Sequence, residues 1–104
     1  MKGLDSVDQI SPRIRTTLQD YALEGDPAGI ARLGTVVAAG NKPWFADEFA
    51  QTLRAGLFTA QWWGTTLYDD DWTEAQADDL DEDLREIWGA VAPGRAYPLD
   101  APGG

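Results

Sequence analysis

Hydrophobic positions along this chain recur at helical spacing. After a lead-in segment over residues 1–10, in which Leu4, Val7 and Ile10 are placed to lie against the body, Ser11-Pro12 reads as an N-cap and first helical residue. Ile14, Leu18 and Tyr21 then form a stripe that runs to Gly25. Asp26-Pro27 repeats the signal and opens a second helix, with Ile30, Leu33 and Val36 or Val37 inward, up to Gly40. Gly29 and Gly34 within it predict close helix packing. Asn41-Lys42-Pro43 turns into a third helix, where Trp44, Phe45, Phe49 and Leu53 bury an aromatic face up to about Gly56. The segment LFTAQWWGTTLY, residues 57–68, suits a strand by its threonines and aromatics and a short helix by the capping position of Thr59; the short helix is preferred.

The most regular pattern lies between Asp69 and Val91. Ala77, Leu80, Leu84, Ile87, Trp88 and Val91 fall on one narrow stripe at 100° per residue. Thr73 with Gln76 forms a capping box, Glu74 adds negative charge at the positive end of the helix dipole, and Pro93-Gly94 marks the stop. The remainder, residues 93–104, is rich in Pro and Gly and predicts an irregular tail, with Tyr97 and Leu99 docking on the body. Residues 1–104 therefore predict a single all-α domain, a compact bundle of four to five short helices, with no repeat at a fixed period.

Charge changes this picture most in the last helix. The chain has 104 residues, 18 acidic against 8 basic, and a net charge of −10. Ten of the acids (Asp69, Asp70, Asp71, Glu74, Asp78, Asp79, Asp81, Glu82, Asp83, Glu86) lie in the stretch from Asp69 to Val91, where Arg85 is the single base. Like pairs at i, i+4, Asp78 with Glu82 and Asp79 with Asp83, each cost a few tenths of a kcal/mol, and Asp81 with Arg85 is the one favourable pair at that spacing. The stripe opposite this acidic face makes it a helix surface aimed at water or at a cationic partner. A pI near 4.1 disfavours direct binding to nucleic acid or anionic lipid, both of which require clustered Lys and Arg.

The chain contains neither Cys nor His, which excludes disulfides, thiolate chemistry, the usual zinc sites and imidazole catalysis. The polar, acidic start MKGLDSVDQI is unlike a signal peptide, and no apolar run approaches the ~18–20 residues of a membrane span, so the expected location is the cytoplasm. No cofactor is implied. Asp69, Asp70 and Asp71 depart from the calcium-loop pattern where its geometry is strictest: Glu74 replaces the Gly and Leu80 the final Glu. The carboxylates lack the differing environments that acid–base chemistry needs, and no nucleophile or phosphate-cradling loop accompanies them, so the chain is not expected to be an enzyme.

Trp62-Trp63-Gly64 spells W-x-G and resembles the turn of small secreted helical-hairpin proteins of about 100 residues, but Pro12, Pro27 and Pro43 interrupt the long first helix that family needs. The tail also lacks their Tyr-x-x-x-acid signal, since Tyr97 is followed at that offset by Ala101. Adjacent Trp62 and Trp63 lie about 100° apart on a helix, so one of them is expected at the surface. With Tyr68 and Trp72 beside Asp69, Asp70 and Asp71, they have the composition of a protein-binding hot spot. The predicted partner-binding residues are therefore Trp62, Trp63, Tyr68 and Trp72 as anchors, with Asp69, Asp70, Asp71, Asp78, Asp79, Glu82, Asp83 and Glu86 as steering charges.

In size, charge and helical character the chain resembles the immunity proteins of bacterial polymorphic-toxin and contact-dependent growth inhibition systems, and its Ala-, Gly-, Asp- and Arg-rich composition is similar to that of actinobacterial proteins. The resemblance spans the whole chain and carries no motif. It implies an antitoxin encoded with a cognate cationic toxin domain, such as a nuclease, which it neutralises by stoichiometric binding. Two rival classes are an acidic nucleic-acid mimic or adaptor that occupies a DNA- or RNA-handling enzyme, and an acidic subunit of a homo-oligomer joined through the second and third helices.

Overall fold

Helix starts follow the proline and capping signals closely. The computed structural model describes residues 10–100; Leu4, Val7 and residues 101–104 lie outside the described residues. Pro12 opens α1 (Pro12–Tyr21), although the Ser11 side chain makes no cap bond, and a 3-10 turn over Leu23–Gly25 follows. Asp26 caps α2 (Pro27–Ala38) by accepting from the Ala28 amide, and α3 runs Phe45–Arg54. The ambiguous segment is helical. Thr59 caps the single turn α4 (Ala60–Trp63), which passes directly into a π turn over Gly64–Tyr68. The predicted capping box of Thr73 and Gln76 is present and leads through a 3-10 turn, Glu74–Gln76, into α5 (Ala77–Val91). The described residues thus form an all-α bundle of five helices with no strand.

The core is largely aromatic. Phe45 stacks on Phe49 at 5.5 Å, Phe49 meets Phe58 at 5.1 Å and Trp88 at 6.3 Å, and Phe58 lies between Trp62 and Trp63 at 5.6 and 5.4 Å. Each such side chain contributes about 1.5–3 kcal/mol when fully buried. A few of them outweigh the like-charge repulsion along α5, which is worth only a few tenths per pair. On α5 the predicted stripe is buried at Leu84, Ile87, Trp88 and Val91 and partly buried at Leu80; Ala77, in the first turn, is exposed.

α2 makes the most extensive helix contact of the fold, with α5, and α1 packs against α2, α3 and the π turn. Both glycines of α2 serve close packing. A Cβ at Gly34 would stand 2.5 Å from the Ala90 carbonyl oxygen of α5, and one at Gly29 would collide with the Tyr21 carbonyl at the end of α1.

The tail departs from expectation in its order. Trp88 Nε1 donates to the carbonyls of Arg95 and Ala96 at 3.1 Å, and the Arg85 guanidinium lies over the Tyr97 ring at 4.4 Å while bonding Asp100 at 2.7 and 3.2 Å. Residues 93–100 are therefore strapped back onto α5. Tyr97 docks as predicted, but Leu99 stays 56% exposed, because the strap is held through Arg85 and the backbone. Ile10 of the lead-in segment is buried.

Gly34 and Gly89 give opposite predictions, one facing the α2–α5 contact and one facing away from it. Gly34→Ala pushes a methyl group into backbone and should destabilise the chain by about 1–3 kcal/mol. Gly89→Ala, on the exposed side of α5 where an added Cβ meets nothing within 4 Å, should stabilise it by about 0.5–1 kcal/mol. Urea denaturation midpoints of the two variants check the pair.

Candidate functional site

α5 divides its carboxylates into two groups. Asp78, Asp79, Glu82 and Glu86 are exposed and form no ion pair among the described residues. Asp81 pairs with Arg85 at 2.8 Å, the i, i+4 bridge that the spacing predicts. Hydrogen bonding to Arg85, which also grips Asp100, holds the Asp100 carboxyl below the usual range.

Asp83 behaves differently from its neighbours. It is half-buried, and its Oδ2 accepts from Trp63 Nε1 at 3.0 Å and from the Tyr68 hydroxyl at 2.6 Å. Gly25, with φ +69°, closes over this pair: a Cβ there would lie 3.3 Å from Asp83 Oδ1 and would collide with the Tyr68 hydroxyl. Asp83 is thus committed to holding the π turn against α5 and is removed from the steering charges. Burial first, then the bond to Asp83 and the charges of Asp79 and Glu86, pushes the Tyr68 phenol well above its ordinary value.

The aromatic anchors are corrected by the same geometry. Trp62, Trp63 and Trp72 are 8%, 1% and 9% exposed, and Tyr68 is half-buried. Both neighbouring indoles are covered because α4 is a single turn with partners on two sides. Trp63 reaches α5 through Asp83, whereas Trp62 packs on Phe58. Trp72 folds back on the π turn, 4.4 Å from the Tyr68 ring, in space that the missing side chain of Gly64 leaves open; a Cβ there would stand 2.6 Å from Trp72 Cβ.

The acidic loop is built on that stack. The π turn ends on Asp69 in the left-handed region, φ 52°, and the Asp70 amide donates to the Gly64 carbonyl at 3.1 Å. Asp70 Oδ1 accepts from the Asp71 amide at 2.9 Å. Asp69, Asp70 and Asp71 are all exposed, so the loop is fixed by its backbone and by Trp72 while its carboxylates face outward. Among the predicted partner-binding residues, Asp69, Asp70, Asp71, Asp78, Asp79, Glu82 and Glu86 therefore form an outward acidic surface, and Trp62, Trp63, Trp72 and Asp83 form its support. No group of three or more acidic residues among the described residues is arranged to hold a metal ion, and no helix there is long and apolar enough to cross a membrane.

A feature without a sequence signal lies between α1 and α4. An open cleft of about 520 Å³ is lined by Arg15 of α1, Gly56 and Leu57 of the α3–α4 link, and Thr59, Gln61, Trp62, Thr65 and Thr66. These residues are scattered between positions 15 and 66 and share no motif. Comparison of the chain with protein-family models, with curated proteins and with solved structures finds no match.

Asp83→Ala leaves the Trp63 and Tyr68 donors without their acceptor and should cost about 2–4 kcal/mol, measured by urea denaturation at neutral pH. Tyr97 adds an alkaline prediction. Burial, helped by the charges of Asp81 and Asp100 and opposed by Arg85, pushes its phenol up to about 12, and its hydroxyl has no hydrogen-bond partner among the described residues. Tyr68 and Tyr97 both keep their protons to higher pH in the folded chain than in the unfolded one. The stability they contribute is thus complete below pH 10, the ordinary tyrosine value, and declines as pH rises from 10 toward 12. Tyr97→Phe should remove part of that decline while costing nothing near pH 8, as denaturation midpoints across the alkaline range will show.

Proposed function

We propose that the chain is an immunity protein, an antitoxin that binds a cationic toxin domain produced with it and neutralises that domain by stoichiometric inhibition. The observation that carries this reading is the outward surface of Asp69, Asp70, Asp71, Asp78, Asp79, Glu82 and Glu86, which is exposed, free of ion pairs among the described residues, and backed by a packed aromatic interior. Carboxylates held this way keep their charge available to an incoming partner.

A nuclease is the simplest class of target. Such an enzyme presents Lys and Arg to hold phosphate, and a fixed array of carboxylates competes for the same groups. Because Trp62, Trp63 and Trp72 are buried, the half-buried Tyr68 is the one predicted anchor with substantial surface of its own. Affinity then rests mainly on charge pairs, so association depends strongly on salt; the Debye length falls from about 10 Å at 0.1 M to about 3 Å at 1 M.

Co-purification from the native host with mass spectrometry identifies the partner. Recovery of a basic toxin domain supports the proposal, and recovery of an acidic partner or of none counts against it. With the partner in hand, Asp78→Lys with Glu82→Lys should slow association at least tenfold at low ionic strength and much less at high salt, as read by surface-binding kinetics. An unchanged association rate at low ionic strength removes the steering role. Trp63→Ala should act by lowering stability, because the indole lies inside the fold.

A further inference from the structure

We infer that the cleft between α1 and α4 is a binding site for a small planar carboxylate, distinct from the acidic surface of α5. Its volume, about 520 Å³, falls within the range of about 300–1,000 Å³ typical of small-ligand sites. Leu57 and Trp62 supply an apolar wall, which favours a flat hydrophobic body. Gln61, Thr65 and Thr66 add short polar side chains on the same rim.

Charge selects the head group. Arg15 is the one charged residue lining the cleft, and among the described residues its side chain makes no ion pair or hydrogen bond. Arg13, Arg85 and Arg95 are all engaged with carboxylates. A guanidinium fork matches a carboxylate in two parallel hydrogen bonds. A single cation in a chain of net charge −10 neutralises one negative charge, which favours a monoanion over a nucleotide or other polyphosphate.

Backbone geometry also sets the cleft apart. Thr65 and Thr66 come from the π turn, a rare helical form that is frequent at functional sites. Gln19 of α1 donates to the Thr66 carbonyl at 3.5 Å, linking α1 to the π turn. The Thr59 oxygen accepts the cap bond from Trp62, and its hydroxyl proton stays free, so Arg15 and the side chains of Thr59, Gln61, Thr65 and Thr66 remain to meet a ligand.

The test titrates the isotope-labelled chain with 1-naphthoate and, in parallel, with the uncharged 1-naphthamide, following backbone amide shifts by NMR. Naphthoate should give saturable shifts concentrated at residues 56–66 and around Arg15, with at least tenfold weaker binding of the amide. Arg15→Gln, at a half-buried position of α1 whose side chain holds no ion pair among the described residues, should fold normally and lose that preference. Absence of saturable shifts at millimolar naphthoate, equal binding of the two probes, or an unchanged preference in Arg15→Gln would each overturn the assignment. Recovery of a toxin partner is independent of every one of these outcomes.

Discussion

One carboxylate oxygen, Asp83 Oδ2, accepts hydrogen bonds from Trp63 and Tyr68 and so joins α5 to the segment in which α4 becomes a π turn. Much of the surrounding structure follows from that junction. The Gly25 turn closes over it, Trp72 stacks on the tyrosine it holds, and the loop of Asp69 to Asp71 leaves from that stack. Hydrogen bonds to a charged group are worth about 1.5–3 kcal/mol each, against a few tenths for the repulsion between Asp79 and Asp83. The balance explains why a carboxylate stands in this position on an already acidic helix.

Local signals made much of the fold legible. Pro12, Asp26-Pro27 and the Thr73–Gln76 box each mark a helix start that the structure reproduces, because caps and prolines act within a few residues and need no tertiary context. Gly29 and Gly34 were readable as packing positions because they stand beside the inward residues Ile30 and Leu33 of α2, whereas Gly89 of α5 faces open space and shows that a helical glycine need not mark a neighbour. The burial of both Trp62 and Trp63 was hidden, since periodicity assumes one covered face and α4 is covered on two. Asp83 was hidden too. Its position on the helical wheel resembles that of Asp79, and only the three-dimensional approach of Trp63 and Tyr68 separates an internal acceptor from an external charge.

The division of labour between interior and surface accounts for the tolerance of so much like charge. Stability comes from a continuous aromatic interior running from Phe45 through Phe49 and Phe58 to the paired indoles and Trp88. The outer side of α5 contributes little to that interior and is free to carry a field. Arg85 limits the repulsion locally by binding Asp81 and Asp100, and in doing so secures the strap over residues 93–100.

The long-range contact between α2 and α5 also bears on how the chain acquires its structure during synthesis. Ile30 and Leu33, beside the glycine that admits Ala90, present their apolar side long before the matching helix has been made. Closing a loop of that length costs entropy before burial repays it. Stability of this fold therefore hangs on bringing together two helices that stand far apart in sequence.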